Sequence, residues 1–263
     1  MRQAPRTGRG GQRPGARPRR PQQRAVETRE RLVAAALAVF ASRGFDGATT
    51  REIARRAGVA LAALPYHFET KEALWRAAAD RIFGRLAERF AEPLRAARTA
   101  PGSEGPRRLL REFVRFAAEH PELHRFMLQE GTGPSARLSW LVDTHVRPLY
   151  DAVRGLAAPA RRGVRGRPEH LYYAMIGAAS MPYAVAPEFE LLTGAKPDAR
   201  GRVEAHIALL ERLFFPDATE TGSSRRAGEP RREGRPPAPP IAVTGGGAPR
   251  SPRRRGGSRR AGS

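Results

Sequence analysis

The chain has 263 residues, a formal net charge of +22 and no cysteine; it is long enough for one large or two small cores. Without cysteine there are no disulfides and no thiolate metal sites, and a reducing cytoplasm is the expected setting. No run of about 18 apolar residues exists to span a membrane, and the basic N-terminus has no apolar segment behind it to act as a secretory signal.

In chain order, residues 1–24 come first, with eight arginines and no acid. They are poor in large apolar residues and cannot bury enough surface to fold, so they read as a disordered basic arm. A first helix is expected from Ala25 or Val26 to Ser42. Leu32, Ala36, Val39 and Phe40 fall on one face, Gly44 ends the helix, and Phe45 fits the corner behind it. Thr49 can cap a second helix, and Glu52 three residues later completes a capping box. Ile53, Ala54 and Ala57 give that helix an apolar face, and Gly58 stands where it must turn. A very short third helix follows from about Ala60 to Phe68. Pro65 removes a backbone bond there, which shortens this helix or makes part of it 3₁₀. Two short helices joined at a glycine, on a basic chain, suggest a helix-turn-helix whose second helix enters the DNA major groove.

Thr70 caps a long fourth helix with Leu74, Ala78, Ile82, Leu86 and Phe90 at helical spacing, and Pro93 is expected to limit its end. Residues 99–106 read as a loop. Helical patterns follow at about 106–119, 121–130 and 134–156, the first two separated because His120 precedes Pro121. A basic loop at 157–167 leads to a helix at about 168–185. The stretch around Pro187 and Pro197 reads as irregular, and a last helix occupies about 198–215. Residues 217–263 carry eleven arginines and four acids and read as a second disordered tail, rich in Arg, Gly and Pro. Both tails fit nucleic acid, or equally the solvated ends of a chain in which Arg outnumbers Lys by 46 to 2. The expected fold is all-α with about nine helices.

The run TRERLVAAALAVFASRGFDGATTREIA, the helix-turn-helix after it and PYHFETKEALWRAA together resemble the TetR family of bacterial transcriptional regulators, over about Val26 to Ala79. The resemblance implies an N-terminal three-helix DNA-binding domain at 25–76 and a C-terminal helical ligand-binding and dimerisation domain at 77–216. It also implies which residues meet DNA. Thr50 and Arg51 lie beside it, Leu61, Ala62 and Ala63 lie nearest the bases, Tyr66 and His67 lie toward the backbone, and Lys71 matches a phosphate-contacting lysine. Tyr66 and His67 read alternatively as packing behind the third helix. Two departures matter. The family usually has Tyr where this chain has Pro65, and Leu61, Ala62 and Ala63 cannot make bidentate hydrogen bonds to purines. Base reading is therefore expected to lean on Arg51, Tyr66 and the arm.

Other constellations are weaker. His120 and His124 stand four apart beside Glu119, but Pro121 interrupts the helix, so no metal site is expected. Asp143, His145 and Glu130 come with no nucleophile motif, phosphate loop or cofactor fingerprint, so neither an enzyme nor a cofactor is expected. Phe113, Phe116, Met127, Glu130, Arg137, Trp140 and His145 are the candidates for lining a small-molecule cavity, although such an aromatic set also suits a core. Gly177, Ala178, Ser180, Ile207, Leu210 and Phe214 are the candidates for a homodimer face, or for burial within one subunit. The resulting expectation is a homodimeric regulator, a repressor released from an inverted-repeat operator by a small molecule. The rival reading is a less specific DNA-compacting protein driven by its Arg-rich tails.

Overall fold

The structure is a computed structural model that describes residues 21–160 and 167–216. Expectations for residues 1–20, 161–166 and 217–263 lie outside the described residues. Among those described, every regular element is helical, and no helix is long and apolar enough to cross a membrane.

Helix α1 (Pro21–Gly47) starts ahead of the expected Ala25. Proline suits a first helical turn, where its missing N–H has no partner to lose. Gly44 breaks the helix with φ 69° and ψ 179°. A side chain there would also stand 3.0 Å from Gln129 Oε1, so both backbone and space require glycine.

Helix α2 (Thr50–Ala57) is capped by Thr49, whose hydroxyl accepts from the Glu52 N–H at 3.2 Å. The second half of the expected capping box does not form. The Glu52 carboxylate turns instead to Arg43 Nε at 3.1 Å. Gly58, at φ 64° and ψ 39°, closes the helix with N–H bonds to the Ala54 and Arg55 carbonyls, a left-handed cap. The third helix is split, as Pro65 implies. A 3₁₀ turn at Leu61–Ala63 runs into the four-residue α3 (Leu64–His67).

Thr70 caps α4 (Lys71–Ala97) by accepting from the Ala73 N–H at 3.0 Å. Pro93 does not limit this helix, which continues to Ala97 with the proline buried inside it. Helix α5 (Glu104–Glu119) then turns back across α4 and also meets α8, α9 and α11. Gly105 makes the return possible. A Cβ there would lie 2.8 Å from Ala97 Cα and 2.9 Å from its carbonyl oxygen.

Helix α6 (Glu122–Glu130) packs on α1. Next comes one continuous rod: α7 (Ala136–Leu141), a π turn (Val142–Val146) and α8 (Arg147–Ala160). Helix α9 (Pro168–Ala184) follows. The stretch read as irregular then forms α10 (Ala186–Thr193), closed by Gly194 at φ 68°. Its prolines sit in the first turn and beyond the cap, where a helix tolerates them. Helix α11 (Arg200–Phe214) is the last. With α7 and α8 taken as one rod, the described residues hold ten helices, one more than expected, and α10 is the addition.

A single core runs through the whole array. Leu32, Phe40 and Ile53 from the first two helices join Trp75, Ile82 and Phe90 of α4, then Val114, Phe126 and Ile207. Trp75 stacks on Phe126 at 5.2 Å between ring centroids, which fastens α4 to α6. The α4–α5 corner gives a contrast in one residue type. Gly105→Ala should destabilise by about 1–3 kcal/mol, because backbone atoms must move to admit the methyl. Gly84→Ala, inside α4 with nothing within 4 Å, should stabilise by roughly 0.5–1 kcal/mol. Urea midpoints of the two variants check both signs.

Candidate nucleic-acid interface and ligand cavity

The helix-turn-helix presents a mixed outer surface. Arg51, Arg55 and Arg56 are exposed along α2, with no carboxylate partner among the described residues. Thr50 is half-buried at its start. Leu61 and Ala62 are exposed in the 3₁₀ turn and Ala63 is half-buried. Leu64 and Phe68 anchor α3 in the core. Between them Tyr66 points out, 83% exposed, so packing behind the helix does not describe it. His67 is half-buried, its ring edge-on to Tyr66 at 5.2 Å. Arg31 reaches under the unit, its Nη1 donating to the Ala57 carbonyl at 3.3 Å, and so satisfies a helix-end acceptor.

Lys71 opens α4. No carboxylate pairs with it among the described residues, and its Nζ lies 4.5 Å from the centroid of the Phe45 ring. The same ring carries the Arg137 guanidinium at 3.8 Å and stacks on Phe40 at 5.9 Å. Arg137 Nε is paired with Glu130 Oε1 at 3.2 Å, and the Glu130 side chain is only 5% exposed. Ser135 Oγ donates to the same oxygen at 2.6 Å. The Ser135 hydroxyl also accepts from the Leu138 N–H at 2.9 Å, capping α7.

A cavity of about 90 Å³ opens farther along α4, toward its C-terminal end. Phe90, Leu109, Leu110 and Phe113 form one side, and Leu149, Tyr150 and Val153 of α8 another. Leu171, Tyr172, Met175 and Ile176 of α9 line it too, with Phe214 and Phe215. Among the described residues Arg154 is the one charged member of the lining, and it is exposed. The phenol of Tyr172 is pushed up to about 12 by burial and by Tyr173 and Tyr150, so it stays neutral. Behind Phe113 stands His124, edge-on at 5.4 Å. Burial pulls its imidazole down to about 4, and its Nδ1 has no hydrogen-bond partner. His120 instead meets Glu122 at 3.2 Å in the turn. Among the described residues no group of three or more such side chains could hold a metal.

Known proteins resemble this chain in sequence and in fold. Residues 32–78 match the family model described as bacterial regulatory proteins, tetR family. The HTH-type transcriptional regulator RutR of Escherichia coli K12 is 29% identical over 181 residues, which span 65% of this chain and 82% of RutR. The chain carries the DNA-binding region of the TetR family. The HTH-type transcriptional repressor AcnR of Corynebacterium diphtheriae is 32% identical over 48% of this chain and 60% of its own. Among solved structures, AibR in complex with isovaleryl coenzyme A and operator DNA has the same fold, with a TM-score of 0.58 and 18% identity over 72% of this chain and 98% of that one. By this region and by its likeness to RutR, the protein is a DNA-binding transcriptional regulator and not an enzyme.

The cavity at Phe90 lies away from most of the residues that the sequence suggested for a lining. Of the seven lining candidates only Phe113 borders it. Phe116 is buried in the core and Met127 packs half-buried against it. Glu130 and Arg137 make the ion pair beside Phe45. Trp140 packs on Trp75 at 5.8 Å. His145, in the π turn, bonds Asp80 at 3.0 Å and stacks on Phe83. Of the aromatic candidates, Trp140 belongs to the seam between α4, α6 and α7, while Phe113 and Phe116 sit on α5.

The face available to a second copy also differs. Ser180, Ile207 and Leu210 are buried in their own subunit. Ala178 is half-buried, Phe214 lines the cavity, and only Gly177 is exposed. The outward apolar positions are Tyr173, Gly177 and Met181 on α9 and Leu209 and Leu213 on α11, at i, i+4 steps. Leu191 and Leu192 of α10 are exposed as well. Leu209 and Leu213 form a second stripe beside Val203, Ile207 and Leu210, and that doubling was the available signal.

His124 generates a pH dependence. Its folded pKa, about 4, lies below the ordinary 6.5, so the unfolded chain takes up the proton first as pH falls. Stability is present above about 6.5 and is lost as pH drops toward 4. His124→Leu should flatten that decline, which thermal unfolding between pH 7 and pH 4 would measure.

Proposed function

We propose that this regulator binds an inverted-repeat operator as a homodimer and represses until a small apolar effector with an anionic head releases it. The observation that carries this reading is Lys71. It is a cation without an acid partner among the described residues, at the first residue of α4, the same helix that supplies Phe90 to the cavity. Ammonium and helix-start amides together attract a phosphate. Arg51 and Tyr66, both exposed, are the base-reading candidates beside Thr50, with His67 toward the backbone. Leu61, Ala62 and Ala63 offer only apolar contact to thymine methyls. The exposed stripes of α9 and α11 fit a two-fold interface between subunits. The rival, sequence-indifferent compaction by the tails, draws on their arginine content. It is distinguished by the ratio of specific to non-specific affinity at a stated salt concentration.

The effector class follows from the lining. An apolar cavity with no carboxylate among its described lining residues favours an apolar body, and Arg154 at its edge favours an anion there over a cation. AibR, with its isovaleryl coenzyme A, is an example of such a pairing on this fold. Binding can shift the protein only through different affinities for its DNA-bound and free conformations.

Two measurements test the reading. Duplexes selected from random DNA should be inverted repeats, and the Leu209→Glu, Leu213→Glu double variant should run as a monomer by light scattering and lose the preference for the full site over a half-site. A dimer that survives both charges would place the interface elsewhere. Isovaleryl coenzyme A and isovalerate should raise the melting temperature and weaken operator binding, and isoamylamine should do neither. Arg154→Gln should narrow that difference. Equal binding of the amine would refute an anionic head.

A further inference from the structure

The geometry points to Arg137, on α7 and distant in sequence from the helix-turn-helix, as a positioning residue for the DNA contact of Lys71, acting through the ring of Phe45. This rests on the reading of Lys71 as a phosphate ligand and adds a residue that touches no DNA itself.

The Phe45 ring is where the argument starts. Gly44 is left-handed and has Gln129 of α6 against it, so the chain turns there in one way only and carries Phe45 to the junction of α1, α4 and α7. Arg137 is the cation nearest the ring, at 3.8 Å. The Lys71 ammonium is 4.5 Å from the same centroid. A ring face attracts a cation through its quadrupole. With no carboxylate on Lys71 among the described residues, the ring is the group that holds its ammonium at the start of α4.

Arg137 is in turn fixed from behind. Its partner Glu130 is nearly enclosed and takes a second bond from Ser135, the cap of α7. A buried carboxylate left unpaired is costly, so Arg137 stays on Glu130 and cannot follow the DNA. The pair is close to neutral, and Lys71 remains the uncompensated charge of the group. An elongated side chain at 137 therefore sets where the ring stands, and the ring sets where the ammonium stands.

The test is a double-mutant cycle on operator affinity, read with its salt dependence, using the duplex selected by the wild-type protein and an unrelated duplex of the same length. Lys71→Ala should weaken both duplexes and lower the salt slope by about 1 per half-site. Arg137→Met should weaken binding roughly 2- to 30-fold, the span of a cation–ring contact. It should lower the slope in the same direction although the residue is off the DNA. The double variant should be no worse than Lys71→Ala alone. Arg137→Lys, which keeps a cation on the ring, should recover part of the loss. Because Arg137→Met strands Glu130, the cycle is repeated with Glu130→Gln, which keeps the shape and removes the charge. Additive losses, or an Arg137 variant with wild-type affinity and slope, would overturn the inference while leaving Lys71 a phosphate ligand. A Lys71→Ala protein with unchanged affinity and slope would remove that reading itself, and this inference with it.

Discussion

Helix α4 is the constraint that the other helices obey. It runs without interruption from Lys71 to Ala97, about 40 Å at 1.5 Å per residue. Leu74, Trp75, Ala78, Ile82, Phe83, Leu86 and Phe90 are buried along it. It packs on α1, which leads into the helix-turn-helix, and its Phe90 borders the cavity. A helix buried over that length cannot tilt at one end without disturbing packing at the other, since interiors are close-packed and bistable rather than soft. Lys71, at the start of this rod, and Phe90, at the cavity, are therefore mechanically joined.

The aromatic seam beside α4 gives the rod its attachments. Trp75 lies on Phe126 of α6 and against Trp140 of α7, while Phe83 takes His145 of the π turn on its face. Every one of these contacts joins α4 to the segment between Glu122 and Val146. That segment is also what meets α1, through Gln129 at Gly44 and Arg137 at Phe45. The DNA-binding unit is thus braced from two sides, by its own fourth helix and by a short helix that follows the cavity-lining α5.

Much of this was legible because its causes are local. Thr49, Gly58 and Thr70 act on backbone groups three or four residues away, so their chemistry could be read without a fold. Pro65 likewise announced the 3₁₀ turn by removing one N–H. Local rules misled where tertiary packing overruled them. Pro93 sits inside α4 because the surrounding core keeps the helix going, and α10 forms although flanking prolines suggested irregular chain. Gly105 matters only because Ala97 lies against it, a relation that no short window contains. The cavity and the outward face were missed for a related reason. Phe113 and Phe116 are equally apolar in sequence, as are Leu209 and Leu210, and only the packing of α5 and α11 decides which faces a void, a core or solvent.

The π turn at Val142–Val146 has a consequence of phase. Arg137 lies before it, and Leu149, Tyr150 and Val153, which line the cavity, lie after it on the same rod. A π turn accommodates one residue more than an α turn, and each residue in a regular helix advances the side chains by about 100°. The extra residue therefore fixes the angle between the ring-bound end of the rod and its cavity-facing end. A chain one residue shorter across this turn could keep Arg137 on Phe45 and would turn Leu149, Tyr150 and Val153 away from the void. The length of this single turn, together with the identity of the side chains, therefore decides what faces the void.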